Sequence, residues 1–275
     1  MITSPTVDGI AIHIDGGGPQ SIVMIHGWPD THRLWDATVQ VLKATHRCIR
    51  FTLPGYDIAQ PRRPQSVAQL VEFFRRVVEQ NCPGQRVTLL LHDWGAAFGY
   101  QFAMAHPQLV ARVIGVDVGD AKSAQHMKSL DFKAKLGIAG YQLWLMLAWR
   151  VGAGKAGAIG VSLGDRMTRW MAGALRCTAD PRLIGCAMNY PYDMAWTGSH
   201  GGLKLKPLAL DCPMLFIYGQ RKPFMFHSQA WAAALAAQPG CKVVGLRTGH
   251  WVMVGDPAGF HAALRDWLDA PAAVG

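Results

Sequence analysis

The chain has 275 residues, half of them apolar, and a formal charge of +9. That is enough apolar chain for one large domain with an insertion. No Lys/Arg run is interleaved with aromatics, which argues against nucleic acid as a partner, and no stretch reaches the roughly 18 apolar residues of a membrane span. The segment 1–15 lacks the basic-then-apolar layout of a secretory signal, so a soluble cytoplasmic protein is expected. Six scattered cysteines without a Cys-x-x-Cys pair read as free thiols rather than as a disulfide frame or a metal site. The positive charge is uneven: residues 121–206 hold twelve Lys/Arg against four Asp and no Glu. This predicts a solvated basic face, with anionic ligands or a membrane surface as its lesser uses.

Elements alternate from the start. Val7 to Asp15 alternates weakly, Gly16-Gly17-Gly18-Pro19 is a turn, and Ser21 to Ile25 is a buried strand that runs into His26-Gly27-Trp28-Pro29-Asp30. Thr31 to Lys43 has helical spacing, Arg47 to Leu53 is strand-like, and Ser66 to Gln80 is an amphipathic helix. Residues 86–91 form another aliphatic strand, Gly95 to Ala105 a helix, and Arg112 to Val118 the next strand, carrying Asp117. Such alternation predicts an α/β fold with a mostly parallel sheet and helices on both faces.

The alternation lapses over 121–206, where a helix-like apolar block at Leu136–Trp149 precedes a flexible Gly/Ala stretch at Gly152–Gly164. Helices are expected around Asp165–Cys177 and Asp180–Tyr190. This segment reads as an inserted helical cap between two core parts, 1–120 and 207–275. Strands resume at Cys212–Gly219 and Lys242–Leu246, with helices at Ser228–Ala237 and Pro257–Leu268.

The chemistry concentrates at three strand ends. Leu91-His92-Asp93-Trp94-Gly95 joins a strand to a helix with no loop between, and the small residues Gly95, Ala96, Ala97 and Gly99 let the two approach closely. Asp93 is either an N-cap or a nucleophile at the apex of that turn. Gly27, beside Pro29, suits a loop whose main-chain N–H points at a reacting atom. His250 follows the last strand, at the same sheet edge as Asp93, and is placed to activate water.

Together, His26-Gly27-Trp28-Pro29, His92-Asp93-Trp94-Gly95 and Gly249-His250-Trp251 resemble the α/β-hydrolase fold, specifically its epoxide hydrolase and haloalkane dehalogenase branch. The resemblance implies an Asp93 ester hydrolysed by His250-activated water, with the Trp28 and Trp94 main-chain amides as oxyanion donors. It also implies a small, largely apolar organic substrate, no metal or organic cofactor, and a monomer or homodimer. Tyr141-Gln142-Leu143-Trp144 resembles the start of an epoxide hydrolase cap, which makes Tyr141 a proton donor. Asn189-Tyr190-Pro191-Tyr192 leaves Tyr190 or Tyr192 as the second. Trp28, Trp94, Gln142 and Trp144 are expected to contact substrate. Relatives often carry the histidine's acid in a Gly-x-x-Asp pattern, but Gly219-Gln220-Arg221-Lys222 has lysine there, so the acid is sought at Asp117, with Asp120 as fallback. Haloalkane dehalogenation and a non-catalytic ligand-binding protein on the same fold are the alternatives.

Overall fold

Four aliphatic runs form the centre of one sheet. The computed structural model describes residues 5–270, so residues 1–4 of the N-terminal stretch and the last five of the second core part lie outside it. A two-stranded antiparallel ribbon, β1 (Thr6–Val7) and β2 (Ile10–Ala11), precedes the main strands. These are β3 (His13–Asp15), β4 (Gln20–Ile25), β5 (His46–Arg50), β6 (Val87–His92), β7 (Val110–Val116), β8 (Met214–Gly219) and β9 (Lys242–Leu246). They form a seven-stranded sheet in the order β3-β5-β4-β6-β7-β8-β9, parallel except where β3 pairs with β5.

The helices are α1 (Asp36–Leu42), α2 (Val67–Asn81), α3 (Trp94–Ala105), α4 (Ala124–Ser129), α5 (Phe132–Ala153), α6 (Gly157–Ala174), α7 (Tyr190–Thr197), α8 (Gln229–Ala236), α9 (Val252–Gly255) and α10 (Pro257–Leu268). Alternate residues of each strand feed opposite faces of the sheet. Val23, Ile25, Leu89 and Leu91 pack with Phe74 of α2 and Phe98 and Phe102 of α3. Ile22, Met24 and Leu90 pack with Val39 of α1 and with Phe260 and Leu264 of α10. All six residues of β6 are buried, so both of its faces are covered. Truncating Leu90 to Ala there would cost about 2–5 kcal/mol. The start of α2 is set by a reciprocal capping box between Ser66 and Gln69.

The stretch between β7 and β8 holds α4 to α7 and short 3-10 turns, and no strand among the described residues. Three expectations about it need correction. The apolar block at Leu136–Trp149 is the middle of the 22-residue α5, which Asp131 caps through the Ala134 N–H. The stretch Gly152–Gly164 is not a flexible tether, because α6 begins at Gly157. Its small residues are a packing face: a Cβ on Gly160 would lie 2.7 Å from the Val151 carbonyl oxygen, and one on Gly164 2.7 Å from that of Ala148. Asp180–Tyr190 is not a helix but two 3-10 turns, Pro181–Leu183 and Cys186–Asn189, and α7 starts only at Tyr190. No helix among the described residues is long and apolar enough to cross a membrane.

Candidate active site

The loop between β6 and α3 is a single residue. Asp93 adopts φ 53°, ψ −123°, a conformation that L-residues rarely occupy and that surrounding structure must enforce. Two glycines permit it. A Cβ on Gly95 would collide with the Ile25 and His26 carbonyls, and one on Gly27 with Asp93 Oδ1 and the Trp94 nitrogen. Asp93 Oδ1 accepts the Trp28 main-chain N–H at 2.6 Å. Burial would raise the Asp93 pKa, but His250 and the Trp94 main-chain amide outweigh it and hold the carboxyl below its ordinary value.

The loop bearing Gly27 and Trp28 is tied down by His26. Its Nδ1–H donates to the Gly27 carbonyl at 2.9 Å, and its Nε2 accepts the Leu53 N–H at 2.9 Å, which fixes a neutral tautomer. Complete burial depresses its pKa to about 3. The Trp28 indole N–H donates to Asn189 Oδ1 at 2.8 Å, and Asn189 in turn donates to Thr168.

His250 stands between two carboxylates. Its Nε2 is 3.5 Å from Asp93 Oδ2, and its Nδ1 donates to Asp117 Oδ2 at 2.5 Å. Burial alone would lower its pKa, but the charge and hydrogen bond of Asp117, then Asp93, raise it to about 9. Asp117 follows β7, and its other oxygen accepts the Gly219 N–H at 2.9 Å and the Lys222 ammonium. Lys222 therefore fills the site of an acid and pairs with the acid on the neighbouring strand. Burial would raise the Asp117 pKa; Lys222 and His250 overcome that and lower it. Asp120 does not reach His250. It accepts the Ser228 N–H and the Ser228 and Ser123 hydroxyls, so it holds the loop before α8.

A cavity of about 450 Å³ lies over Asp93, and Trp94, Tyr141, Gln142 and Tyr192 line it. The Tyr141 and Tyr192 rings meet edge to face, with centroids 6.1 Å apart. Burial raises both phenol pKa values, and the Asp93 charge adds to the shift, so both keep their protons. The Trp94 and Tyr192 rings also meet edge to face, with centroids 5.3 Å apart.

Three expected site residues do not come together with these. Tyr190 is fully buried against Tyr56 and Trp149, and its hydroxyl has no hydrogen-bond partner. It and Tyr192 lie two residues apart on α7, about 200° around a helix, so only one can face the cavity. The Trp144 indole turns to the Met167 carbonyl at 3.0 Å and its ring packs on Trp170, away from the cavity lining. The Trp28 side chain is likewise absent from that lining, although its main-chain amide is at the site.

Sequence reasoning missed Asp30 and His92. Asp30 accepts the Trp251 indole N–H at 2.8 Å, and burial raises its pKa to about 7. The His92 ring lies 4.6 Å from that of His250, and burial lowers its pKa to about 3. Their neighbours in the motifs were the available signal: Asp30 closes the His26–Pro29 run and His92 precedes Asp93.

The α/β-hydrolase fold family model matches residues 20–145. Epoxide hydrolase 2 of Caenorhabditis elegans is 34% identical over 113 residues, 38% of this chain and 31% of that protein. A cis-3-alkyl-4-alkyloxetan-2-one decarboxylase of Xanthomonas campestris is 24% identical over 285 residues, covering 95% of this chain and 93% of that one. The crystal structure of a mutant epoxide hydrolase from Bacillus megaterium with its diol product superposes with TM-score 0.70 at 20% identity, covering 96% of this chain and 98% of that chain. The aligned part spans only 22–31% of the length of the first curated relatives. The fold is that of the α/β hydrolases.

Proposed function

We propose that this chain, an α/β hydrolase by fold, is a hydrolase that opens a small, largely apolar epoxide to a diol. The observation that carries the reading is the pairing of two protonated phenols, Tyr141 and Tyr192, with an ionised carboxylate, Asp93, in one apolar cavity. Asp93 attacks an epoxide carbon, the C–O bond breaks, and a tyrosine hydroxyl gives its proton to the departing oxygen. The product is an alkyl ester of Asp93. Its formation removes the Asp93 charge, so His250 loses one of the two anions that favour its proton. The imidazole then takes a proton from water, the hydroxide adds to the ester carbonyl, and the Trp28 and Trp94 main-chain N–H groups receive the oxyanion. Collapse breaks the ester C–O bond, and the departing oxygen takes the proton of the added hydroxyl to complete the diol and restore the carboxylate. The proton held by His250 returns through water to the tyrosinate. Asp117 holds the imidazole with Nδ1 protonated. Residues 121–206 form the helical cap that supplies the tyrosines.

Haloalkane dehalogenation is less well supported, because its halide needs free N–H donors while the Trp28 indole is committed to Asn189 and lies off the cavity lining. A second reading rests on the near full-length match to the oxetan-2-one decarboxylase. A carboxylate that opens a strained cyclic ether can also open a strained cyclic ester. Parallel incubation with an epoxide, a haloalkane and a 3,4-dialkyl-oxetan-2-one separates the readings by diol, halide, or carbon dioxide with alkene. Diol formation that Asp93→Asn abolishes supports the proposal. Tight binding without turnover, unaffected by Asp93→Ala, would assign a ligand-binding protein instead.

A further inference from the structure

Ten of the eleven large apolar residues exposed among those described lie between Met127 and Trp196, within the helical insertion. On α5, Phe132, Leu136, Leu143 and Leu147 fall within an arc of about 60° at helical geometry. The buried residues of α5, Leu145, Ala148, Trp149 and Gly152, occupy the opposite side. On α6, Ile159, Leu163 and Trp170 form a second stripe of similar width, again away from the buried Gly160, Gly164 and Met171. Exposure reaches 81% at Phe132, 79% at Ile159 and 60% at Trp170, so neither stripe is covered by the described residues.

The charge around these stripes is one-sided. The insertion's four carboxylates are all engaged: Asp131 caps α5, Asp165 meets Arg169 and the Cys186 N–H, Asp180 meets Arg182, and Asp193 meets Arg150. None of the insertion's lysines, among them Lys128, Lys133 and Lys155, has a carboxylate partner among the described residues. An apolar stripe flanked by unpaired lysines, with an indole at its edge, matches a surface that lies in a lipid headgroup layer. A second copy of this face would bring like charge against like charge.

We propose that the outer face of the α5–α6 hairpin docks the protein on an anionic lipid surface, with the apolar stripes inserted shallowly and the lysines on the headgroups. The cavity takes Met127, Leu130 and Trp196 from the same insertion, so a docked enzyme would draw an apolar substrate from the lipid phase. Only that last consequence rests on the epoxide reading. Docking itself does not, and its assay uses no turnover.

The test is co-sedimentation of the full chain with phosphatidylcholine vesicles, with and without phosphatidylglycerol, at low and high salt. Wild type is expected on the phosphatidylglycerol vesicles at low salt and to be released by high salt. Ile159→Asp/Leu163→Asp is expected to weaken binding at least about tenfold, and Lys133→Glu/Lys155→Glu, which alters no packing, to remove the salt-sensitive part. The melting curve and the far-ultraviolet circular dichroism spectrum serve as controls for folding. Failure of wild type to sediment at low salt, or binding that both variants retain, would overturn the proposal. So would a wild-type dimer in sedimentation equilibrium that Ile159→Asp/Leu163→Asp splits, which would assign the face to a second copy.

Discussion

The Lys222 ammonium and the His250 imidazole share one carboxylate: Lys222 donates to Asp117 Oδ1 and His250 Nδ1 to Asp117 Oδ2. The lysine side chain is 6% exposed and the aspartate side chain 0%, so solvent screens the pair little. Lys222 therefore neutralises part of the field that would otherwise keep His250 protonated.

Replacing Lys222 by Met tests that relationship. Asp117, Asp93, Asp30 and His92 are the titratable groups around His250, and His227 is the further one near Lys222. Removing the only cation among them raises the His250 pKa. The base form is then scarcer at neutral pH, and the acid limb of kcat moves up by about one pH unit. Lys222→Arg, which keeps the charge, should leave the limb in place. An NMR titration of His250 in an Asp93→Asn background reads the same shift without substrate, and an unchanged value would refute the role.

The tyrosines should divide by position. Tyr141→Phe and Tyr192→Phe are each expected to slow ester formation by about 10- to 100-fold, and the double variant to reduce it beyond detection. Tyr190→Phe, whose hydroxyl has no partner, should keep ester formation within about threefold of wild type. Rapid-quench measurement of the first turnover separates these outcomes. A large loss in Tyr190→Phe with none in Tyr192→Phe would reverse the assignment.

This pair also shows where the sequence stopped being legible. Asp93, His250 and Asp117 could be read because each sits at the C-terminal end of a parallel strand, and a parallel sheet gathers those ends on one edge. The choice between Tyr190 and Tyr192 depends on where α7 begins relative to Pro191, which periodicity does not give. Lys222 was visible as a departure from the family pattern, but its partner follows from the pairing of β7 with β8. Gly160 and Gly164 suggested flexibility in isolation; against α5 they are what allows two helices to touch. Trp144 was expected at the cavity from the cap motif Tyr141-Gln142-Leu143-Trp144. Its indole N–H goes instead to the Met167 carbonyl of α6 and its ring to Trp170, a helix-to-helix contact that the motif does not show.

Stability should fall on acidification. Burial depresses His26 and His92 to about 3, and His32 and His227 to about 4. Between those values and 6.5 the unfolded chain binds protons that the folded chain refuses, so stability rises with pH over that window and is lost below it. The lowered Asp93 and Asp117 act in the same direction at lower pH. Asp30, raised to about 7, opposes them from 3.8 upward, but it is a single group. His250, raised to about 9, contributes stability that is complete below 6.5 and lost as pH rises through 9. The melting temperature is therefore expected to peak near neutrality and to drop by about 5 °C or more at pH 5. Thermal unfolding of wild type and His92→Asn across this range checks it; the variant should show a shallower acid slope.

The central claim is that Asp93 becomes covalently esterified and His250 frees it. Intact and peptide mass spectrometry of His250→Gln, quenched after mixing with an epoxide that wild type turns over, tests it most directly. The predicted result is a mass increase equal to that of the epoxide, confined to the peptide containing Asp93. An unmodified Asp93 peptide, or an adduct on another carboxylate, would contradict that mechanism.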